Sequence, residues 1–199
     1  MSPATIFPMH LLLGYVPWLL SLGYLMPRLE AMDRIEAQRA IALLHSFRFF
    51  GLVFLVPGVV GPNLPAGFAT FAAYGDFATG VLAMLALLTA RIRPLFWLLV
   101  VAFNLIGAAD IVIDYYRGSQ LGLPALAGEL GATYAIPIIY VPLLMITHVL
   151  AFYLLARSQP KVVRALSEAH ADNFEWSRPP PQSSIGASTA NTPGSRKIS

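Results

Sequence analysis

The sequence predicts an all-α integral membrane protein: a bundle of five transmembrane helices with its N-terminus outside and its C-terminus in the cytosol. Three observations predict it. Of 199 residues, 57% are apolar and only 12% charged, where soluble domains average roughly 25% charged residues, and the mean hydropathy is +0.66. The charges are also segregated, six of them between Arg28 and Arg39 and nine between Arg157 and Ser199. What lies between is a series of near-neutral stretches long enough for a hydrocarbon core of about 30 Å. Finally, Lys and Arg fall on alternate connections, eleven on one side of the bundle and one on the other, which is the positive-inside pattern.

Composition excludes several chemistries. With no cysteine there is no disulfide, thiolate nucleophile or Cys-ligated metal. The net charge of +3 comes from basic residues at the ends of apolar segments, which orient spans rather than bind nucleic acid.

The first span runs from about residue 6 to 26. It has no basic n-region, is punctuated by Pro8, His10 and Pro17, and is followed by no A-x-A site before the charged segment. It therefore reads as a retained helix rather than a cleaved signal. RLEAMDRIEAQR follows, with Leu29, Met32, Ile35 and Leu43 at helical spacing and Glu30 paired to Arg34 at i,i+4. That pattern predicts an interfacial amphipathic helix over about 28–40. The second span is about 41–60, and GPNLPAG, residues 61–67, is a turn built from helix breakers. The third span is about 68–90 and, after the RIRP turn, the fourth is about 95–116. A Gly-rich connection, RGSQLGLPALAGELG, leads into the fifth, about 133–156. These spans define a bundle over residues 1–157. From residue 158 to 199 the chain is rich in Pro, Ser and Thr, apart from a weak amphipathic patch at 162–166. It reads as a disordered cytosolic tail. No repeat suggests the inverted halves of many secondary transporters.

The informative residues are polar ones within spans: Arg48, Asp76, Asp110 and Asp114, joined by His45, Asn104 and His148. A charge near the bilayer centre costs at least about 2.5–3.5 kcal/mol, so each should face the bundle interior and find a partner. At 1.5 Å per residue, Arg48, Asn104 and His148 lie about 10–14 Å from the cytosolic edge, and Asp76 and Asp110 about 8–12 Å from the outer one. An extended arginine can bridge those layers. The expectation is an Arg48–Asp76 ion pair, with Asn104, Asp110 and His148 completing a binding or translocation network. Small residues beside the carboxylates, Gly75 and Gly80 on one span and Gly107, Ala108 and Ala109 on another, let helices approach closely there. The bland reading is a buried ion pair that only fixes helix register.

Asp114, next to Tyr115, Tyr116 and Arg117, reads as a solvated end within an aromatic belt, with Asp114 and Tyr115 in a binding vestibule as the alternative. Pro57, Pro137 and Pro142 either bend spans around a cavity or merely shape packing. His45 and His148, both toward the cytosolic side, permit bis-His ligation of haem b as an alternative, although the sequence has no C-x-x-C-H motif. No H-E-x-x-H, G-x-S-x-G or P-loop pattern is present. His10 and His170 carry no assigned role.

RFFG from Arg48, LPAGFATFAAYGD ending at Asp76, NLIGAAD ending at Asp110, and His148 resemble the pattern of small, uncharacterised bacterial polytopic inner-membrane proteins, over about residues 46–156. The resemblance implies a bacterial inner-membrane setting and no activity. The reading that follows is a membrane protein whose network binds or passes a proton or small solute, with no reaction assigned and no cofactor expected. The alternatives are a non-catalytic accessory or assembly subunit and a haem- or quinone-linked redox protein. The lipid bilayer, and a second copy or a membrane partner, are the expected partners.

Overall fold

The computed structural model describes residues 1–157, which are mostly helical, with turns at 56–65 and 121–126 and no strand among the described residues. Its elements are α1 (Pro3–Ala31), α2 (Arg34–Ser46) continued by a 3₁₀ run (Phe47–Leu55), α3 (Ala66–Leu88), α4 (Arg93–Gln120), a second 3₁₀ segment (Ala127–Tyr134), a π turn (Ile136–Tyr140) and α5 (Val141–Ala156). Five of the resulting rods are long and apolar enough to cross a membrane.

The helix ends differ from the sequence expectation for identifiable reasons. There is no separate interfacial helix over 28–40. α1 continues through Arg28 to Ala31, and α2 begins afresh at Arg34, because Asp33 caps it by accepting a bond from the Ile35 amide at 3.0 Å. The second rod stops at Leu55 rather than near residue 60. Pro57 therefore sits beyond the helix, not inside it. Gly58, at φ 80°, takes the left-handed turn that follows. The Gly-rich connection is more than a link: Leu123, Ala127 and Leu130 are buried in the core, and Gly131 turns at φ 52°, where a Cβ would stand 2.7 Å from the Val59 carbonyl oxygen. Glu129 fastens the two connections at that end, accepting from the backbone and side-chain nitrogens of Asn63 at 3.0 and 3.1 Å. Pro137 lies in the π turn and Pro142 in the first turn of α5, so these two prolines coincide with a real irregularity.

Two apolar clusters fill the interior. One gathers Phe7, Phe54, Phe68, Leu123 and Leu130 near the connecting loops. The other gathers Ile41, Ala83, Phe96, Phe103 and Leu150 at the opposite end. Along α3, α4 and α5 the buried polar residues fall between these clusters, so the core is an apolar sandwich with a polar filling. At the far end Arg34 donates to the Leu154 carbonyl at 3.4 Å and to that of Leu155, meeting the unpaired carbonyls of the α5 terminus. Arg157 pairs with Glu30 at 2.9 Å. The predicted tail, 158–199, lies outside the described residues.

Candidate functional site

Arg48 is the second residue of the 3₁₀ run, and that geometry decides where it points. At three residues per turn, positions i and i+3 eclipse. Arg48, Gly51 and Phe54 therefore form one row, and they are the three buried residues of the segment. Phe47, Phe49 and Phe50 face outward. The run lies against α3 so closely that a Cβ on Gly80 would stand 2.9 Å from the Phe49 nitrogen.

The guanidinium is 1% exposed and spends four of its N–H groups inside the bundle. Nε donates to Asp76 Oδ1 at 2.7 Å and Nη2 to Asp110 Oδ2 at 2.7 Å. Nη1 donates to the Gly107 carbonyl and to His148 Nε2, each at 3.2 Å. The expected Arg48–Asp76 contact is thus present, and Asp110 shares the same arginine.

The rest of the network has one consistent polarity. Because a guanidinium only donates, His148 Nε2 accepts, and its Nδ1–H donates to Asn104 Oδ1 at 2.9 Å. Asn104 Nδ2 then donates to the Val100 carbonyl at 2.8 Å. The ring tautomer and amide orientation are assigned from these partners. Asn104 therefore reaches Arg48 only through His148.

Glycine makes room for the charges. A Cβ on Gly107 would stand 2.6 Å from each of Arg48 Nη1, His148 Nε2 and Thr79 Cγ2, and one on Gly51 or Gly75 would occupy the space of the Asp76 or Asp110 carboxylate, respectively. Asp110 Oδ1, packed at Gly75, is buried and has no hydrogen-bond partner among the described residues.

His45 is buried one turn away. Thr147 Oγ1 donates to the Leu143 and Leu144 carbonyls at 2.9 and 3.0 Å, so His45 Nε2 donates to that hydroxyl at 3.0 Å. The His45 and His148 rings stack with centroids 4.0 Å apart at 33°. That spacing is ring-to-ring contact, which admits neither an iron nor a porphyrin between them. Both His148 nitrogens are already engaged. The pair does not fit the haem b alternative, and no group of three metal-ligating side chains occurs among the described residues.

Asp114 does not stand in solvent as a helix end. It is half-buried, with Oδ1 inaccessible and without a hydrogen-bond partner among the described residues, and together with Tyr115 it lines a cavity of about 200 Å³. Phe7, Phe54, Phe68 and Leu123 supply much of the wall, and Asp76 reaches the same cavity. Tyr115 also bonds Tyr15 on α1, hydroxyl to hydroxyl, at 2.8 Å. Sequence reasoning missed Gly51, Thr147 and Tyr15. Gly51 carried a legible signal, since it lies three residues after Arg48 and Phe54 three further on, the period of a 3₁₀ row.

The sequence profile of a family described as a domain of unknown function, DUF8737, matches residues 6–156. The chain belongs to the DUF8737 family. No curated protein and no solved structure matches it. The DUF8737 match takes in the body of all five long helices and every residue of the cluster, and it ends at Ala156, the last residue of α5.

Proposed function

We propose that this DUF8737 protein is a multi-pass protein of a bacterial inner membrane, and that it binds or passes a proton or small solute through the Arg48–Asp76–Asp110 cluster. The observation that carries the reading is charge imbalance. Asp76 and Asp110 share one arginine, while Asp114, one turn further along α4, has no cationic partner among its hydrogen bonds. Three ionised carboxylates against one guanidinium leave two uncompensated negative charges where desolvation is severe. A proton or cation entering by the cavity that Asp76 lines would offset part of that excess.

Asp76 and Asp110 are the groups that exchange the proton or cation. Arg48 stabilises whichever carboxylate remains charged. His148 and Asn104 hold the guanidinium from the other side, and a relay through them requires that Arg48 first release His148 Nε2. Basic residues support the orientation: Arg28, Arg34, Arg39, Arg91, Arg93 and Arg157 all lie toward the end of the bundle opposite the Glu129 clasp, and the positive-inside pattern favours the cytosol for that arginine-rich end.

The test is proton movement in proteoliposomes carrying an internal pH dye. Wild type should relax an imposed gradient, or do so once a solute is added, and Asp76→Asn should abolish the response. Unchanged flux in the variant refutes the proposal. A second reading, a packing or assembly subunit, is favoured by the anchoring of the network to backbone carbonyls of Gly107 and Val100. It predicts that Asp76→Asn impairs folding or co-purification of a fixed partner instead of flux.

A further inference from the structure

The cavity beside the cluster has a definite chemical bias. Its wall is almost wholly apolar, formed by Phe7, Phe54, Phe68 and Leu123 among others, and among the described residues the charged ones that line it are Asp76 and Asp114, with no Lys, Arg or His. Arg48 turns its donors to the two carboxylates, the Gly107 carbonyl and His148, and Arg117, next to the lining residue Gly118, donates to the Gly67 carbonyl. Asp114 Oδ1 has no donor among the described residues and is itself shielded from the cavity, so what the residue offers a ligand is its charge and the rest of its carboxylate.

From these features we infer that the cavity is the binding site for a small organic monocation, an ammonium carried on an apolar or aromatic body, with its N–H groups directed to Asp114 and Asp76. The inference rests on the reading of the cluster as a binding network and names the solute class. Size supports a compact ligand: the volume of about 200 Å³ is somewhat larger than the about 150 Å³ cavity that holds benzene. A single ring with a short aminoalkyl arm fits that volume. The aromatic wall suits the ligand twice, by burying its body and by offering ring faces to the cation. An anion would meet two carboxylates and no positive group. A neutral ligand would leave Asp114 without the charge that completes it.

The experiment uses the full chain in nanodiscs and measures binding of three isosteric probes: 2-phenylethylammonium, 2-phenylethanol and phenylacetate, with empty nanodiscs as the blank. The ammonium should bind saturably at one site and at least about tenfold tighter than the alcohol, the difference expected when a charge-assisted hydrogen bond replaces a neutral one. Phenylacetate should not bind. Asp114→Asn should erase the preference for ammonium over alcohol, and Leu11→Trp, which fills the cavity from α1, should weaken both. Equal affinity for ammonium and alcohol, absence of saturable binding, or an ammonium preference that survives Asp114→Asn overturns the inference. Because binding is read without flux, proton movement that depends on Asp76 in a protein that ignores ammonium would sink this inference alone. Ammonium binding without any Asp76-dependent flux would sink only the transport reading.

Discussion

Gly107→Ala is the sharpest probe of whether the buried charges are held as described. The added methyl would stand 2.6 Å from Arg48 Nη1, His148 Nε2 and Thr79 Cγ2, too close for any of them. None can step aside freely, because Nη1 is bonded to His148 and to the Gly107 carbonyl itself. Overpacking of this kind costs about 1–3 kcal/mol, and loosening one hydrogen bond to the guanidinium adds about 1.5–3 kcal/mol. Against this, alanine in a helix interior gains about 0.5–1 kcal/mol over glycine. The net expectation is a loss of about 1.5–5.5 kcal/mol, or a fall in Tm of about 3–22 °C for a chain of this size. Gly23→Ala is the matched control: it is also inside a helix, but its Cβ would meet nothing within 4 Å, so its Tm should hold or rise slightly. The assay is thermal unfolding of both variants in one detergent, followed by circular dichroism. Equal Tm values for the two would refute the packing of α4 against Arg48.

Other expectations follow from the same contacts. Arg48→Met strands two buried carboxylates and should lower stability by about 3–5 kcal/mol, while adding Asp76→Asn and Asp110→Asn to it should recover most of the loss; failure to recover in denaturant titrations would deny that the three side chains form one electrostatic unit. A double-mutant cycle of Asn104→Ala with His148→Ala should give a coupling of about 0.5–1.5 kcal/mol, whereas additive losses would show that the 2.9 Å contact is idle. Arg34→Ala frees the Leu154 and Leu155 carbonyls, so hydrogen exchange should accelerate in the last turn of α5 and leave α3 unaffected.

How much of this was legible beforehand depended on the kind of signal. Hydropathy alone located five long apolar helices, because each must present an almost unbroken apolar stretch whatever its neighbours do. The contact between Arg48 and Asp76 was also legible, since a lone cation and lone anions on near-neutral helices have few ways to avoid one another. Helix ends were not. Asp33 restarts the helix through a side-chain bond to Ile35, and a pattern of apolar spacing that continues through both helices conceals that break. The 28–40 segment accordingly looked like one amphipathic helix. Asp114 was legible only as two alternatives, a solvated helix end or part of a vestibule with Tyr115: the choice depends on the loop bearing Leu123 and Pro124, which lines the same cavity as Asp114 and Tyr115. The His45–His148 stack was beyond reach, because it depends on how α2 and α5 are rotated about their axes, and one histidine per helix fixes neither.

The 3₁₀ run gives the cluster and the cavity a mechanical connection that can be tested. Arg48 and Phe54 share the buried row of Phe47–Leu55, and Phe54 is part of the cavity wall. Nine residues in this form span about 18 Å, against about 13.5 Å as an α-helix. Runs longer than three or four residues are uncommon because their hydrogen-bond geometry is poorer, so tertiary contacts must hold this one extended. The contacts of Arg48 with Asp76 and Asp110 are the strongest available. If they supply that restraint, weakening them lets the run tighten and swings Phe54 relative to the cavity. Phe54→Trp provides an optical reporter at that position. Its emission should shift when Asp110→Asn is added, and 2-phenylethylammonium should quench the two proteins differently. Identical spectra and quenching with and without Asp110→Asn would mean that the run keeps its form without the ion pair, and that the charged cluster and the cavity behave as independent parts of the molecule.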